Sequence, residues 1–263
     1  MINLVAKLKK LKSLGASAVK QSLEDEGASF EDIKKMKNLT SKVGLDLNVK
    51  IGGCEAKNDI FFCKRIGVNG IVSPMIESKY ALNKFIQTVK KDKKTSLYIN
   101  LESDLAFKNV SEITNSKHFK SLRGIVIGRS DLAGSLGLTK KEVDSKKIYK
   151  KVHKVLSSIK KKKKNIVCKM GGSLTYKSKN FIELLFKKKL INRIETRNVE
   201  ILLSKRTISN LKQLIFLAFE FEMEWIKNKL KHQKHKNKVI INDYSSRIKE
   251  IKNRLKKQDK IND

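Results

Sequence analysis

The sequence predicts an α/β fold of the (β/α)8 TIM barrel class, and two regularities along the chain support this prediction. Short β-rich runs alternate with longer amphipathic stretches of helical periodicity over most of the chain. The first six β-rich runs begin mostly 24 to 28 residues apart, the length of one strand and its following helix. An open doubly wound sheet is the alternative, but the turn after the first run lacks the glycine-rich phosphate loop of such sheets.

Eight strands are expected from runs rich in valine, isoleucine and other β-forming residues. They are Ala18–Leu23, Asp46–Ile51, Gly70–Pro74, Ser96–Leu101, Gly124–Gly128, Asn165–Met170, Arg193–Thr196 and Val199–Leu203. All eight are predicted to be parallel, because no hairpin signal joins two of them: the Asn-Gly pair at residues 69–70 follows a helix and is interpreted as a cap that leads into a strand. The helices predicted between the strands include Phe30–Val43, Glu55–Ile66, Lys79–Lys91 and Leu105–Asn115.

Helical segments are predicted before the first strand and after the last strand of the barrel. Residues 1–230 are expected to hold an N-terminal helix and the barrel, and residues 231–263 a basic, extended helical tail. The tail carries an apolar stripe at spacings of three and four: Ile240, Ile241, Tyr244, Ile248, Ile251 and Leu255. Such a stripe packs against its own domain or against another subunit. We expect packing against another subunit, which would make the tail an oligomerisation element of a homo-oligomer.

The composition is strongly basic, with 60 Lys and Arg against 26 Asp and Glu and a net charge of +34. A basic barrel that binds nucleic acid or another polyanion without catalysis is therefore the alternative function. The lysines are spread over the whole chain without aromatic interleaving, which disfavours nucleic acid. Apolar runs fall short of the roughly 20 residues of a membrane span, and no signal peptide or CxxC spacing is present. We expect a cytoplasmic protein with no membrane contact.

Charged residues follow most of the predicted strands, at the end of a barrel that carries function. They are Glu24, Asp25, Glu26, Lys50, Glu77, Glu102, Arg129, Asp131, Lys169, Glu195 and Arg197. Glu102 and Asp131 lie 29 residues apart, one βα unit, and are expected at adjacent strand ends. Two carboxylates without a nearby His or Cys suit a hard cation, Mg²⁺ or Mn²⁺. Ion pairs of these carboxylates with Lys50 or Arg129 are the alternative, and the spacing alone does not decide.

Residues 127–137, with the sequence IGRSDLAGSLG, are the most informative segment. A glycine ends the strand, an acid follows three residues later, and small residues come next. This segment resembles the G-P-x-D-L-S-x-S-x-G segment of the HpcH/HpaI aldolase and citrate lyase β-subunit family. Residues 23–27, 70–78 and 98–103 resemble three further segments of that family, and these segments follow one another along the chain in the family's order. The resemblance covers about residues 15–205.

The resemblance implies a barrel that binds Mg²⁺ or Mn²⁺ and makes or breaks a carbon–carbon bond next to a 2-oxo acid or acyl-CoA thioester. Glu102 and Asp131 would be the metal ligands. Lys50 stands where the family usually has an arginine that holds the substrate carboxylate, and it offers a point charge without the bidentate fork. The other residues expected to bind substrate are Gly128, Arg129 and Ser130.

The family's aldolases carry a histidine after the acid of the first strand end, where this chain has Gly27. Proton transfer would then fall to the predicted catalytic residues Glu26, Asp25 and Lys50, or to water on the metal. This departure disfavours pyruvate aldolase chemistry and favours lyase chemistry of the citrate or malyl thioester kind, or a variant not yet assigned.

Overall fold

A computed structural model describes residues 2–24, 26–90, 94–231 and 238–259, and its eight strands close into a barrel. The strands are β1 Ala16–Ser22, β2 Asp46–Lys50, β3 Gly70–Ser73, β4 Ser96–Leu101, β5 Gly124–Gly128, β6 Val167–Gly171, β7 Arg193–Glu195 and β8 Val199–Leu202. Every observed strand end lies within two residues of its predicted position, and β4 and β5 coincide with theirs. The predicted (β/α)8 barrel is therefore confirmed.

The strand order in the barrel follows the chain, but the strands are not all parallel. β8 runs antiparallel to both of its neighbours, β7 and β1. The prediction of eight parallel strands is wrong at this position. The reason is the connection: only residues 196–198 separate β7 from β8, whereas a parallel crossover needs a dozen or more residues. A hairpin turn is therefore the geometry that so short a connection permits.

Helices surround the barrel and extend the chain beyond it. They are α1 Ile2–Leu14, α2 Phe30–Val43, α3 Lys57–Arg65, α4 Lys79–Val89, α5 Asp104–Lys108, α6 Val110–Thr114, α7 Arg129–Ser135, α8 Lys146–Lys162, α9 Lys179–Lys187, α10 Lys205–Ser209, α11 Leu211–Lys231 and α12 Lys238–Asp259. α2 has its predicted bounds, whereas the helix predicted over residues 105–115 is two short helices that meet at Asn109. None of the described helices is long and apolar enough to cross a lipid bilayer.

The ends of α2 illustrate how local sequence defines an element. The side chain of Ser29 accepts a hydrogen bond from the backbone of Asp32, and the Asp32 carboxylate accepts one from the backbone of Ser29. This reciprocal capping box satisfies donors that the first helical turn leaves open. At the other end Gly44 adopts a left-handed conformation with φ of 66°, which ends the helix. Between these ends lies a buried face of Ile33, Met36, Leu39, Thr40 and Val43.

Lysine side chains satisfy backbone carbonyl groups where helices and connections end. Lys12 donates to the carbonyl oxygen of Val43, the last residue of α2, over 2.8 Å. Lys163 donates to the carbonyl oxygens of Lys120 and Leu122, over 3.0 and 2.6 Å. A cation suits such positions because helix C-termini carry partial negative charge and open acceptors. Part of the basic charge therefore has a structural role, and polyanion binding stays a prediction.

The main hydrophobic core lies between the barrel and the helices, while the barrel interior is partly polar. On β4, Leu97, Ile99 and Leu101 belong to the main core. Tyr98 points to the other side of the same strand and joins a small separate cluster with Val72 and Val126. This alternation is the period of two that a strand imposes on its side chains.

A charged network crosses the barrel interior beneath the mouth. Glu200 on β8 pairs with Lys169 on β6 over 2.7 Å, and both side chains are fully buried. Asn48 and Arg193 donate to the same carboxylate over 2.6 and 3.4 Å, and the Lys169 ammonium lies 3.7 Å from the Tyr98 ring centre. Burial disfavours the charged form of Glu200, but Lys169, Asn48 and Arg193 outweigh it and hold its pKa below the usual value.

The C-terminal helices pack against each other and against the barrel. Arg247 of α12 forms a bidentate ion pair with Glu222 of α11, over 2.5 and 3.0 Å. Part of the predicted tail stripe contacts the core of its own chain, namely Tyr244, Ile248, Ile251 and Leu255. The alternative of packing on its own domain therefore applies to these four residues. Homo-oligomerisation through the tail stays a prediction, and residues 232–237 and 260–263 lie outside the described residues.

Removal of the Glu200 carboxylate is expected to destabilise the fold strongly. In a Glu200→Gln variant Lys169 stays buried without its counter-charge, a loss of about 3–5 kcal/mol in buried ion pairs. Urea unfolding followed by the fluorescence of the single tryptophan, Trp225, measures the change in free energy of unfolding. The control is Glu224→Gln, because Glu224 pairs with Lys227 near the surface and such pairs contribute about 0–1 kcal/mol. Equal losses in both variants would contradict the role given to Glu200.

Candidate active site at the mouth of the barrel

A cavity of about 370 Å³ opens at the C-terminal ends of the parallel strands. Its volume is at the lower end of the range of small-molecule sites. The basic side chains in its wall are Lys20, Lys50, Lys140, Arg197, Arg247 and Arg254. The acidic ones are Glu102, Asp131, Glu195 and Glu250. This excess of basic over acidic groups favours a small anionic ligand.

Four neighbouring strands contribute one transverse row of residues, Glu102, Gly128, Gly171 and Glu195, which we call the mouth row. Gly128 of β5 lies beside Gly171 of β6 in the barrel register. Leu101 of β4 pairs with Ile127 of β5, so the next residue, Glu102, lies beside Gly128. Met170 of β6 pairs with Ile194 of β7, so Glu195 lies beside Gly171. A Cβ on Gly128 would lie 2.5 Å from Oε2 of Glu102, and one on Gly171 would lie 2.9 Å from Cγ of Glu195. The two glycines thus leave the space that the two glutamates occupy.

The Glu102 carboxylate is buried and held from two sides. Its Oε1 accepts from the backbone N–H of Met75 over 3.1 Å, and its Oε2 accepts from Nδ2 of Asn100 over 2.9 Å. Met75 has a φ of 49°, in the left-handed region that residues other than glycine rarely adopt. Strained backbone conformations of this kind are often found at functional sites. Burial raises the pKa of Glu102, and Asp131 adds to this shift. Lys50 and the two hydrogen bonds oppose it.

Asp131 shares the cavity with Glu102, from the first turn of α7. Within the part of the chain that the structure describes, neither carboxylate forms an ion pair. Lys50 pairs instead with Glu24 over 2.8 Å, and Arg129 pairs with another acid. The alternative of an ion pair with Lys50 or Arg129 is therefore not seen at contact distance among these residues, although the Lys50 charge opposes the rise in the pKa of Glu102. The metal site stays a prediction.

The donors at this point fit a hard divalent cation. Oδ1 of Asn100 is buried, and no described residue gives it a hydrogen bond. Asn100, Glu102 and Asp131 all line the cavity, and their side-chain oxygens are the donor type that Mg²⁺ and Mn²⁺ prefer. No group of three or more His, Cys, Asp or Glu side chains gathers among the described residues. The set would therefore leave coordination positions open to water and substrate.

Arg129 does not reach the cavity. Its fully buried guanidinium donates to the carbonyl oxygens of Gly171 and Gly172, each over 3.0 Å, and pairs with Asp144. The prediction that Arg129 binds substrate does not match this placement. The physical reason is the alternation of a strand, because the residue after the inward-facing Gly128 points away from the barrel interior. Arg129 instead fixes the turn that follows β6.

The other predicted substrate-binding residues, Lys50, Gly128 and Ser130, all line the cavity. The Ser130 hydroxyl lies 2.9 Å from the Ser173 hydroxyl. Gly172 permits this approach because its φ is 85° and a Cβ there would lie 2.4 Å from the backbone nitrogen of Ser130. The start of α7 and the turn after β6 therefore form one continuous wall of the cavity.

The predicted catalytic residues are divided by the structure. Lys50 lines the cavity, whereas Glu26 is not among the lining residues. The Glu26 carboxylate accepts from Nδ2 of Asn198 over 2.9 Å and lies 3.6 Å from Nε of Arg197. Asp25 lies outside the described residues.

The sequence predictions left out several residues that line the cavity, namely Lys20, Asn100, Arg247, Glu250 and Arg254. Two of these residues could have been predicted from strand periodicity. Asn100 lies two residues before the predicted metal ligand of β4, and Lys20 lies two residues before the end of β1, each on the inward face that a period of two defines. The three residues of α12 had none, because no local pattern says which part of a barrel a distant helix will cover.

A Gly128→Ala variant is expected to lose about 1–3 kcal/mol of stability, the usual cost of overpacking. The added methyl group would lie within 2.5 to 2.7 Å of the Glu102 side chain, which must then leave its two hydrogen bonds. The control is Gly134→Ala in α7, where a Cβ meets nothing within 4 Å and a gain of up to about 1 kcal/mol is expected from helix propensity. Urea unfolding measures both, and a neutral Gly128→Ala variant would contradict the tight mouth row.

Comparison with solved structures places this barrel among enzymes of similar fold. An HpcH/HpaI aldolase from Desulfitobacterium hafniense DCB-2 superposes with a TM-score of 0.61 at 12% identity, over 74% of this chain and 82% of that protein. The citrate synthase SbnG superposes with a TM-score of 0.60 at 12% identity, over 83% and 89%. An HpcH/HpaI aldolase/citrate lyase family protein from Burkholderia cenocepacia J2315 gives 0.60 and 12%, over 83% and 90%. At this identity the likeness shows the fold.

The family follows from the sequence itself. No curated protein matches the chain. The profile of the HpcH/HpaI aldolase/citrate lyase family matches residues 40–173, about half of the chain, from within α2 to the turn after β6. This segment contains Lys50, Glu102 and Asp131. The chain therefore belongs to the HpcH/HpaI aldolase/citrate lyase family and is an enzyme of the carbon–carbon lyase class.

Proposed function

We propose that the protein is a divalent-metal-dependent carbon–carbon lyase that acts on a 2-oxo acid or an acyl thioester. The observation that carries this proposal is the set of oxygen donors at the mouth, formed by Glu102, Asp131 and the unpartnered Oδ1 of Asn100. The similar structures named aldolase and citrate synthase support it, since both kinds of reaction make or break a carbon–carbon bond beside an acid group.

Glu102 and Asp131 would hold Mg²⁺ or Mn²⁺, with Oδ1 of Asn100 as a further ligand. The bound ion would supply Lewis-acid stabilisation of negative charge on a substrate oxygen, worth several kcal/mol in the transition state. The protein contributes rigidity: the hydrogen bonds from Met75 and Asn100 fix the Glu102 carboxylate before any ligand enters. Such preorganisation avoids reordering the site during the reaction.

The cavity wall suits the acid group of the substrate. Lys50 is 6% exposed, and its ammonium group would orient the substrate carboxylate as a point charge. The ion pair with Glu24 positions this ammonium. The Ser130 hydroxyl provides a neutral hydrogen-bonding group on the opposite wall. A cavity of about 370 Å³ accommodates a small organic acid, and the carrier portion of a thioester would extend from its opening.

The unmodified protein is expected to bind Mn²⁺ and Mg²⁺, as measured by titration calorimetry. Glu102→Gln and Asp131→Asn are each expected to weaken binding more than about 100-fold, the upper end of the loss caused by outer-sphere substitutions. Circular dichroism should show an unchanged fold. The matched control is Glu112→Gln, an exposed carboxylate in the first turn of α6. If the unmodified protein binds neither ion, the proposed metal dependence is wrong.

A screen of hydroxylated 2-oxo acids and acyl-CoA thioesters with Mg²⁺ tests the reaction, with products identified by mass spectrometry. We expect cleavage products from at least one compound class, and no cleavage in the presence of a chelator. Absence of cleavage and of the reverse condensation across both classes would contradict the proposed substrates.

A further inference from the structure

Glu195 is the second carboxylate of the mouth row, and one of its oxygens is left without a partner. The side chain is 5% exposed and lines the cavity. Its Oε1 accepts a hydrogen bond from Nζ of Lys20 over 3.1 Å. Its Oε2 is buried, and no described residue gives it a hydrogen bond. A buried carboxylate oxygen without a hydrogen bond is costly, so its retention at the cavity wall points to a group that enters the cavity.

The proposed lyase reaction needs an acid–base group, and no described acid of the first strand end lines the cavity; Asp25 lies outside the described residues. The resemblance to the family implies a histidine at this strand end, and the chain has Gly27 there. Glu24 is paired with Lys50, and Glu26 accepts a hydrogen bond from Asn198; neither acid lines the cavity. Glu195 does line it, and it lies outside the segment that matches the family profile.

We propose that Glu195 is the acid–base residue of the carbon–carbon lyase reaction and that Lys20 positions it. This inference rests on the function proposed above. The mouth row places Glu195 three strands from Glu102, roughly 14 Å along the barrel wall at the usual strand spacing. Gly128 and Gly171 have no side chains of their own, and the Glu102 and Glu195 side chains lie over them and extend toward each other along the wall. A small acid bound between the two carboxylates therefore faces both.

One proton moves from the substrate to Glu195 and back to the substrate, so the reaction neither gains nor loses a proton. In the cleavage direction the Glu195 carboxylate takes the proton of the hydroxyl group on the carbon that becomes the new carbonyl. The O–H electron pair forms the C=O bond, the carbon–carbon bond breaks, and its electron pair enters the C=C bond of the enolate. Glu195 then returns the same proton to the enolate carbon, and the second product regains its carbonyl group. The reaction consumes no oxidant, reductant or further co-reactant.

Charged groups on four elements contact Glu195, pair with it in the sheet or line the same cavity. Lys20 on β1 contacts it directly, and Glu200 on β8 is its partner in the antiparallel register. Arg197 in the hairpin turn and the α12 residues Arg247 and Glu250 line the same cavity. Lys20 is the cation in direct contact, and its hydrogen bond holds Oε1 of the Glu195 carboxylate in place.

The first measurement follows exchange of the methyl protons of pyruvate with D₂O by NMR, in the presence of Mg²⁺. Glu195→Gln is expected to slow the exchange by about 100-fold or more, the usual contribution of a general acid or base. Lys20→Met should lower kcat for the exchange with KM for pyruvate unchanged, and Lys20→Arg should restore kcat, which a purely structural residue would not do. Glu112→Gln serves as the control. Exchange that survives in Glu195→Gln but is lost in Glu26→Gln would overturn the assignment.

The second measurement does not depend on turnover. Oxalate, an analogue of the enolate of pyruvate, is bound with Mg²⁺ in buffers of different ionisation enthalpy, and calorimetry gives the protons taken up. We expect about one proton in the unmodified protein and none in Glu195→Gln, with equal Mg²⁺ affinity and unfolding midpoint. Equal uptake in both would overturn the role of Glu195 alone. An unmodified protein that binds neither Mg²⁺ nor oxalate and exchanges no protons would instead overturn the proposed function, and this inference with it.

Discussion

The closed barrel depends on one carboxylate buried inside it. Glu200 lies on β8, the strand that runs against its neighbours, and it binds Lys169 of β6, Arg193 of β7 and Asn48 of β2. β8 is thus held across the interior as well as along its two hydrogen-bonded edges. The mouth row lies on this closed ring of strands, so the separation of its two glutamates depends on closure. A site that needs two opposed carboxylates is built on a buried charge network.

Much of the fold could be predicted from the sequence, for reasons visible in particular elements. β4 and β5 match their predictions because both are rich in β-forming residues, with Leu97, Tyr98 and Ile99 in β4 and Ile125, Val126 and Ile127 in β5. α2 matches because a capping box and a left-handed glycine define its ends. The direction of β8 was missed, although the short connection at residues 196–198 contained the information. The division of residues 105–115 at Asn109 carried no comparable signal.

The candidate site was only partly predictable. Glu102 and Asp131 follow strands whose position the sequence defines, so their meeting in one cavity could be expected. The placement of Arg129 could not be expected from its position after β5, because a charge at a strand end does not say which side of the barrel wall it faces. Glu195 was recognised as a strand-end acid, but its unpartnered oxygen depends on the packing of Gly171 and Lys20. Such contacts join residues more than 20 positions apart and leave no local pattern.

The reversed direction of β8 also decides where the rest of the chain can go. After a parallel eighth strand the chain would emerge at the mouth; here it emerges at the opposite end, beside Gly15, where α10 packs. α11, with 21 residues and about 31 Å of length, then runs back along the barrel, and Lys229 near its end reaches Asp32 at the start of α2. This return delivers α12 to the cavity. Because β8 is antiparallel, no loop follows it at the mouth, and α12 covers the cavity instead. Residues of the C-terminal segment therefore line the site.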